Sequence, residues 1–120
     1  MNVSRIGLAA GAINAGVAVA CGAFAAHGLR DRIAARSLEI FETGARYHMY
    51  HALAMILCAI IATSGARSAG WIFQAGIAVF SGSLYALALT DVKVLGAITP
   101  LGGLAFLAGW VWLAVSALRA

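Results

Sequence analysis

The feature that most constrains this chain is where its charges fall. Eight basic and four acidic residues make up the whole complement, and they are confined to Arg5, the stretch from Arg30 to Arg46, Arg67, Asp91, Lys93 and Arg119. Between them lie four charge-free windows, 6–29, 47–66, 68–90 and 94–118, of 24, 20, 23 and 25 residues. A helix rises about 1.5 Å per residue, so about 20 residues cross a hydrocarbon core about 30 Å thick. Four windows therefore predict four transmembrane helices. The composition agrees: 63% of the residues are hydrophobic, 10% are charged, and the mean hydropathy is +0.96. Soluble domains carry about 25% charged residues. A disordered chain, a soluble enzyme and a nucleic-acid module are excluded together, and the net charge of +4 comes from scattered arginines rather than a basic run.

The chain reads as one transmembrane domain over residues 1–120, with spans at about 6–28, 47–63, 70–90 and 95–118. The first span opens like a secretory signal, with Arg5, an apolar stretch and Ala18-Val19-Ala20 before Cys21. Its apolar run continues past Phe24, which favours an uncleaved span. Seven of the twelve charges lie in 29–46. Leu29, Ile33, Ile40 and Phe41 share one helical face, and Arg36/Glu39 and Glu42/Arg46 stand at i,i+3 and i,i+4. This segment is expected to be a short amphipathic helix in the interface plane, broken near Gly44. A tight turn is expected over Ser64-Gly65-Ala66-Arg67-Ser68, and another at Asp91-Val92-Lys93, so the helices they join pack antiparallel. Pro100 stands near the start of the last span, where it fits a first turn or a kink. The pairs Gly7/Gly11, Ala18/Gly22, Ala78/Gly82 and Ala105/Gly109 have the small-xxx-small spacing that lets helices approach closely, within one bundle or between copies. A homo-oligomer is the expected assembly. No internal repeat is present, although Gly-Ala-Ile occurs at both 11–13 and 96–98.

This topology puts both termini on one side with Arg5, Arg67 and Arg119, and puts Arg30, Arg32, Arg36, Arg46 and Lys93 on the other. Five basic residues against three favour termini outside the cytoplasm. The second side also gathers His27, Glu39, Glu42, Arg46, His48, His51 and Asp91, a polar cluster expected at one membrane boundary. Each of the three histidines should lie within about 8 Å of that edge at helical rise. His48 and His51 stand at i,i+3, and extending their face inward meets Met55 and Cys58. Imidazoles, a thioether and a thiol would suit copper or another soft metal, and a haem between His27 and His48 or His51 is a further arrangement. The same residues serve equally as hydrogen-bonding groups and core fillers. Cys21 and Cys58 lie mid-span without metal-finger spacing. Asn14, Gln74, Ser81, Tyr85 and Thr99 form partial polar stripes inside the spans. They must face the bundle interior, as a path for a small solute or as interhelical hydrogen bonds. Catalytic signatures are lacking: there is no nucleophile elbow, zinc-protease motif, phosphate loop or dinucleotide fingerprint. A non-enzymatic protein without a cofactor is expected, with the lipid bilayer as its surroundings and no nucleic-acid partner.

Three segments have a familiar wording. They are Gly22-Ala23-Phe24-Ala25-Ala26-His27-Gly28-Leu29; Glu42-Thr43-Gly44-Ala45-Arg46-Tyr47-His48 with His51-Ala52-Leu53; and Phe80-Ser81-Gly82-Ser83-Leu84-Tyr85 leading to Leu95-Gly96-Ala97-Ile98-Thr99-Pro100-Leu101-Gly102-Gly103. Together they resemble the YgdD-type family of small membrane proteins of unknown function, to which an animal transmembrane family is similar. The resemblance covers nearly the whole chain. It implies a multi-pass integral membrane protein, in bacteria of the inner membrane, and brings no activity, ligand or catalytic residue. Asp91 departs from it, standing where a glycine or another small residue is more usual.

Overall fold

The computed structural model describes residues 3–119, and among these every regular element is helical. Helix α1 runs Arg5–Phe24 and widens into a π turn over Ala25–Leu29. Helix α2 spans Ala35–Ile61. Helix α3, Ser64–Gly76, passes through a second π turn, Ile77–Ser81, into α4, Gly82–Thr90, making one rod. Helix α5 spans Val94–Arg119. Three of these rods, Arg5–Leu29, Ser64–Thr90 and Val94–Arg119, are long and apolar enough to cross a membrane.

Local chemistry explains the ends. Ser4 caps α1, its hydroxyl accepting from the Gly7 amide at 3.2 Å, and its own amide donates to the Ala59 carbonyl at 2.9 Å, tying the start of α1 to the end of α2. The expected turn over 64–68 is instead the first turn of α3. Only Ala62 and Thr63 make the reversal: Ala62 adopts the left-handed conformation at φ 59°, and the Thr63 hydroxyl accepts from the Ala66 amide at 3.1 Å. The α4–α5 turn uses the same device, with Asp91 left-handed at φ 59°. That is the position where a helix C-terminus favours glycine. Pro100 lies in the second turn of α5, and the helix continues through it.

The expected break near Gly44 is absent. Residues 35–46 do not form a separate interfacial helix but the first half of α2, which is continuous to Ile61. Gly44 serves close approach instead: it is buried, and a methyl group there would come within 3.0 Å of the Tyr85 ring. Gly102 has the same role in α5, since a side chain there would run into the backbone of Phe80 at the π turn. Of the small-residue pairs, Gly7 and Gly11 face α2, and Gly109 faces Phe73. Gly22 and Gly82 have open space where a side chain would stand.

In cross-section the rods make a folded row rather than a ring. Helix α2 packs against α1 on one flank and α3/α4 on the other, and α5 lies against α3/α4. The molecule is accordingly thin, with extents of 49 × 26 × 17 Å. Two apolar cores form along the row. The core toward the termini holds Met55, Cys58, Phe73, Ile77 and Phe106. The core toward the α1–α2 loop holds Ala25, Leu29, Phe41 and Ala88. Between them lies a layer of buried polar side chains.

Candidate functional site

The layer is centred on His48, which falls midway along α2, 13 residues from Ala35 and 13 from Ile61. It is 5% exposed. Its Nδ1 lies 2.9 Å from the Tyr85 hydroxyl on α4, and its Nε2 lies 2.9 Å from Asn14 Oδ1 on α1. The Asn14 amide nitrogen donates to Gln74 Oε1 on α3 at 2.8 Å and to the Ala10 carbonyl at 2.9 Å, with Met55 Sδ at 3.9 Å. These partners assign the protons. A carbonyl can only accept, so the Asn14 nitrogen faces Ala10 and its Oδ1 accepts from His48. His48 therefore carries its hydrogen on Nε2, and Nδ1 accepts the Tyr85 hydroxyl proton. The Cys21 thiol sits beside that hydroxyl. From Tyr85 through His48 and Asn14 to Gln74, every bond donates in the same sense, and the chain joins α4, α2, α1 and α3.

His51, one turn further on, is equally buried and differently surrounded. Its Nδ1 lies 2.8 Å from the Tyr47 carbonyl, and its Nε2 lies 3.1 Å from the Trp110 indole nitrogen. An indole N–H can only donate. Nε2 is thus the acceptor, Nδ1 carries the hydrogen, and the ring is neutral in the opposite tautomer to His48. A proton on Nε2 would set donor against donor. The imidazole lies flat on Phe106, with centroids 3.6 Å apart and planes at 5°, and Phe73 and Trp110 complete an aromatic box. An open groove of about 530 Å³ between α2 and α5, lined by Tyr47, Tyr50, Phe80 and Trp110 among others, leads to this box.

Hydroxyls close the remaining seams. Ser81, fully buried at the second π turn, donates to the Gly44 carbonyl at 2.8 Å. Ser83 and Thr99 join α4 to α5 at 2.6 Å. Among the described residues, no buried side-chain nitrogen or oxygen lacks a partner.

The seven residues expected to cluster at one boundary are divided. His27, Glu39, Glu42, Arg46 and Asp91 are exposed, and Asp91 pairs locally with Lys93 at 2.6 Å. His48 and His51 are buried. Asn14, which His48 bonds, and Gln74, which Asn14 bonds, stand 9 and 10 residues from Arg5 and Ser64, the terminal-side ends of their rods, about 14–15 Å at helical rise. Helix α2 begins at Ala35, so the charged stretch prolongs the helix that carries both histidines instead of lying across its end. The metal candidates His27, His48, His51, Met55 and Cys58 are not brought together either. The two side chains stand about 60° apart around α2, and α2 lies where that step takes His48 into the seam with α1 and α4 and His51 toward α5. Both rings already use both nitrogens. Met55 and Cys58 pack in the terminal-side core, and among the described residues no three histidine, cysteine, aspartate or glutamate side chains converge.

The residues considered for a solute path, Asn14, Gln74, Ser81, Tyr85 and Thr99, are all engaged in hydrogen bonds within the protein. Sequence reasoning passed over Trp110 and Ser83. In the sequence, Trp110 has only a place toward the far end of the last span. Its i,i+4 spacing to Phe106 was the available sign that both line one inward face. Ser83 lies two residues past Ser81 and gave no sign.

A family model described as a protein of unknown function, DUF423, matches residues 21–103. The chain is 51% identical over 114 residues to the UPF0382 membrane protein YwdK of Bacillus subtilis, covering 91% of this chain and 93% of that one. It is 47% identical over 114 residues to the UPF0382 membrane protein SAB0533 of Staphylococcus aureus, covering 91% and 92%. No solved structure matches.

Proposed function

The chain belongs to the DUF423 family, whose relatives are membrane proteins, and on that premise we propose a four-pass, non-enzymatic protein of the cell membrane whose His48 network clips its helices into a fixed scaffold. The observation that carries this reading is saturation. The five side chains considered for a path and both buried histidines are bonded to other parts of the same chain. The folded-row packing points the same way, since it leaves no axis enclosed by all four rods. Polar groups in hydrocarbon need partners, and interhelical hydrogen bonds there average about 0.6 kcal/mol each.

The fourth crossing is assigned to the second part of α2. A hydrocarbon core set just beyond Glu42 leaves residues 43–61, 19 in all, to span it. Arg46, one turn inside and exposed, would snorkel to the rim. Five basic residues on the loop side against three at the termini support termini outside the cytoplasm. The open faces at Gly16 and Gly22 of α1 support a homo-oligomer. The three quoted segments support the closer assignment to the YgdD type, with an animal transmembrane family akin to it. Any protein partner would meet the exposed Glu39, Glu42 and Arg46 of α2.

The test is to reconstitute the full chain in liposomes and to measure solute and proton flux beside unfolding in detergent. The scaffold reading expects background flux, and a His48→Leu variant that unfolds much more readily. Flux above background that responds to Asn14→Leu or Gln74→Leu would replace the scaffold with a transporter. Metal at one equivalent per chain after purification would also overturn the reading.

A further inference from the structure

The two rims of the bundle differ in charge. Asp31, Glu39, Glu42 and Asp91 all lie toward the loop side, where they accompany five basic residues. The terminal-side rim carries Arg5, Arg67 and Arg119 and no acidic side chain. On that rim, where the end of α5 meets the α2–α3 reversal, Arg119, Ser116, Ser64, Ser68 and Trp112 line an open cavity of about 370 Å³. Gly65 makes the cavity's floor, and a side chain there would collide with Ser116. Arg119 forms no ion pair or hydrogen bond with another described residue, and the hydroxyls of Ser64 and Ser116 likewise form none.

We propose that this cavity binds the phosphate of an anionic phospholipid, held by the Arg119 guanidinium and the Ser64 and Ser116 hydroxyls with Trp112 at its flank. A guanidinium presents paired N–H donors that match two phosphate oxygens. Two hydroxyls on facing helices supply donors to the remaining oxygens, and a tryptophan is at home at headgroup depth. The preference for an anionic lipid over a zwitterionic one comes from the rim as a whole, whose charged side chains are arginines with no aspartate or glutamate to receive a choline group. The inference takes from the proposed function only that the α3/α4 rod and α5 cross the bilayer, and it is independent of the His48 network.

The experiment titrates the full chain in an uncharged detergent with phosphatidylglycerol, with phosphatidylcholine and with inorganic phosphate, following thermal unfolding and native mass spectra. Phosphatidylglycerol should raise the unfolding temperature and remain bound, while the other two should do neither. Arg119→Gln should raise the half-saturating phosphatidylglycerol about fivefold, Arg119→Lys should recover part of the loss, and Arg30→Gln on the opposite rim should titrate like the parent. Equal stabilisation by phosphatidylcholine, or an Arg119→Gln chain that titrates unchanged, would overturn the site. Saturation by phosphate alone would overturn the lipid assignment. Extraction of the protein from its membranes by alkaline carbonate would be a failure of the crossing reading, and it is scored separately from lipid selectivity.

Discussion

His48 and His51 stand three residues apart on one helix, both about 5% exposed, and they occupy opposite environments. His48 belongs to a chain of polar side chains drawn from three rods, and each of its ring nitrogens meets another side chain. His51 sits in a box of aromatic rings, where it accepts one indole proton and donates to a carbonyl of its own helix. The first histidine acts mainly through its polarity, joining α2 to α1 and to α4. The second acts mainly as a flat ring that fills space against Phe106. Burial alone does not tell what a polar residue contributes; its partners do.

The largest expected effect tests the polar side of this contrast. His48→Leu leaves the Asn14 carbonyl oxygen and the Tyr85 hydroxyl without their partner, at a cost of about 3 kcal/mol in unfolding free energy measured by denaturant titration in detergent. A loss below about 1 kcal/mol would break the comparison. Next comes the coupling between His48 and Asn14. A double-mutant cycle with Asn14→Leu should give about 1–2 kcal/mol, because the two share one network, and additive losses would mean that the chain is not a unit. His51→Phe should cost only about 1 kcal/mol, since the stack on Phe106 survives. If it costs more than His48→Leu, the roles assigned here are reversed. Nitrogen-15 spectra of histidine-labelled protein sharpen the same point, with Nε2–H expected for His48 and Nδ1–H for His51. The smallest effect lies away from both rings: Ala62→Gly should raise stability by about 0.5–1 kcal/mol by relieving a left-handed alanine, as read by thermal unfolding.

The all-helical class was legible because charges are excluded from long apolar windows and therefore mark helix ends. Val94 and Arg119 bound α5 next to Lys93 and at the last charge for this reason. The same rule misled at α2. Charges between Arg36 and Arg46 looked like an interfacial segment, yet a helix with one exposed face tolerates them, and Gly44 proved to be a contact point for Tyr85. The reversal at Ala62-Thr63 was hidden for a related reason: Ser64, Gly65 and Ser68 have the composition of a turn, while one threonine cap lets them begin a helix. The polar stripes of α1 and α3/α4 were visible as periodic positions. What periodicity does not carry is which stripe meets which, so the junction of Asn14 with His48 needed the packing of the rods to appear.

Asn14 has a consequence that reaches beyond its own contacts. Its amide is oriented by the main-chain carbonyl of Ala10, an acceptor that no side-chain substitution at Ala10 removes. That fixed acceptor propagates outward like the first tile in a row, setting which nitrogen of His48 is protonated and which way the Tyr85 hydroxyl turns. A side chain that replaces His48 must therefore offer a donor toward α1 and an acceptor toward α4 at once. Glutamine meets this demand, whereas lysine meets only half of it.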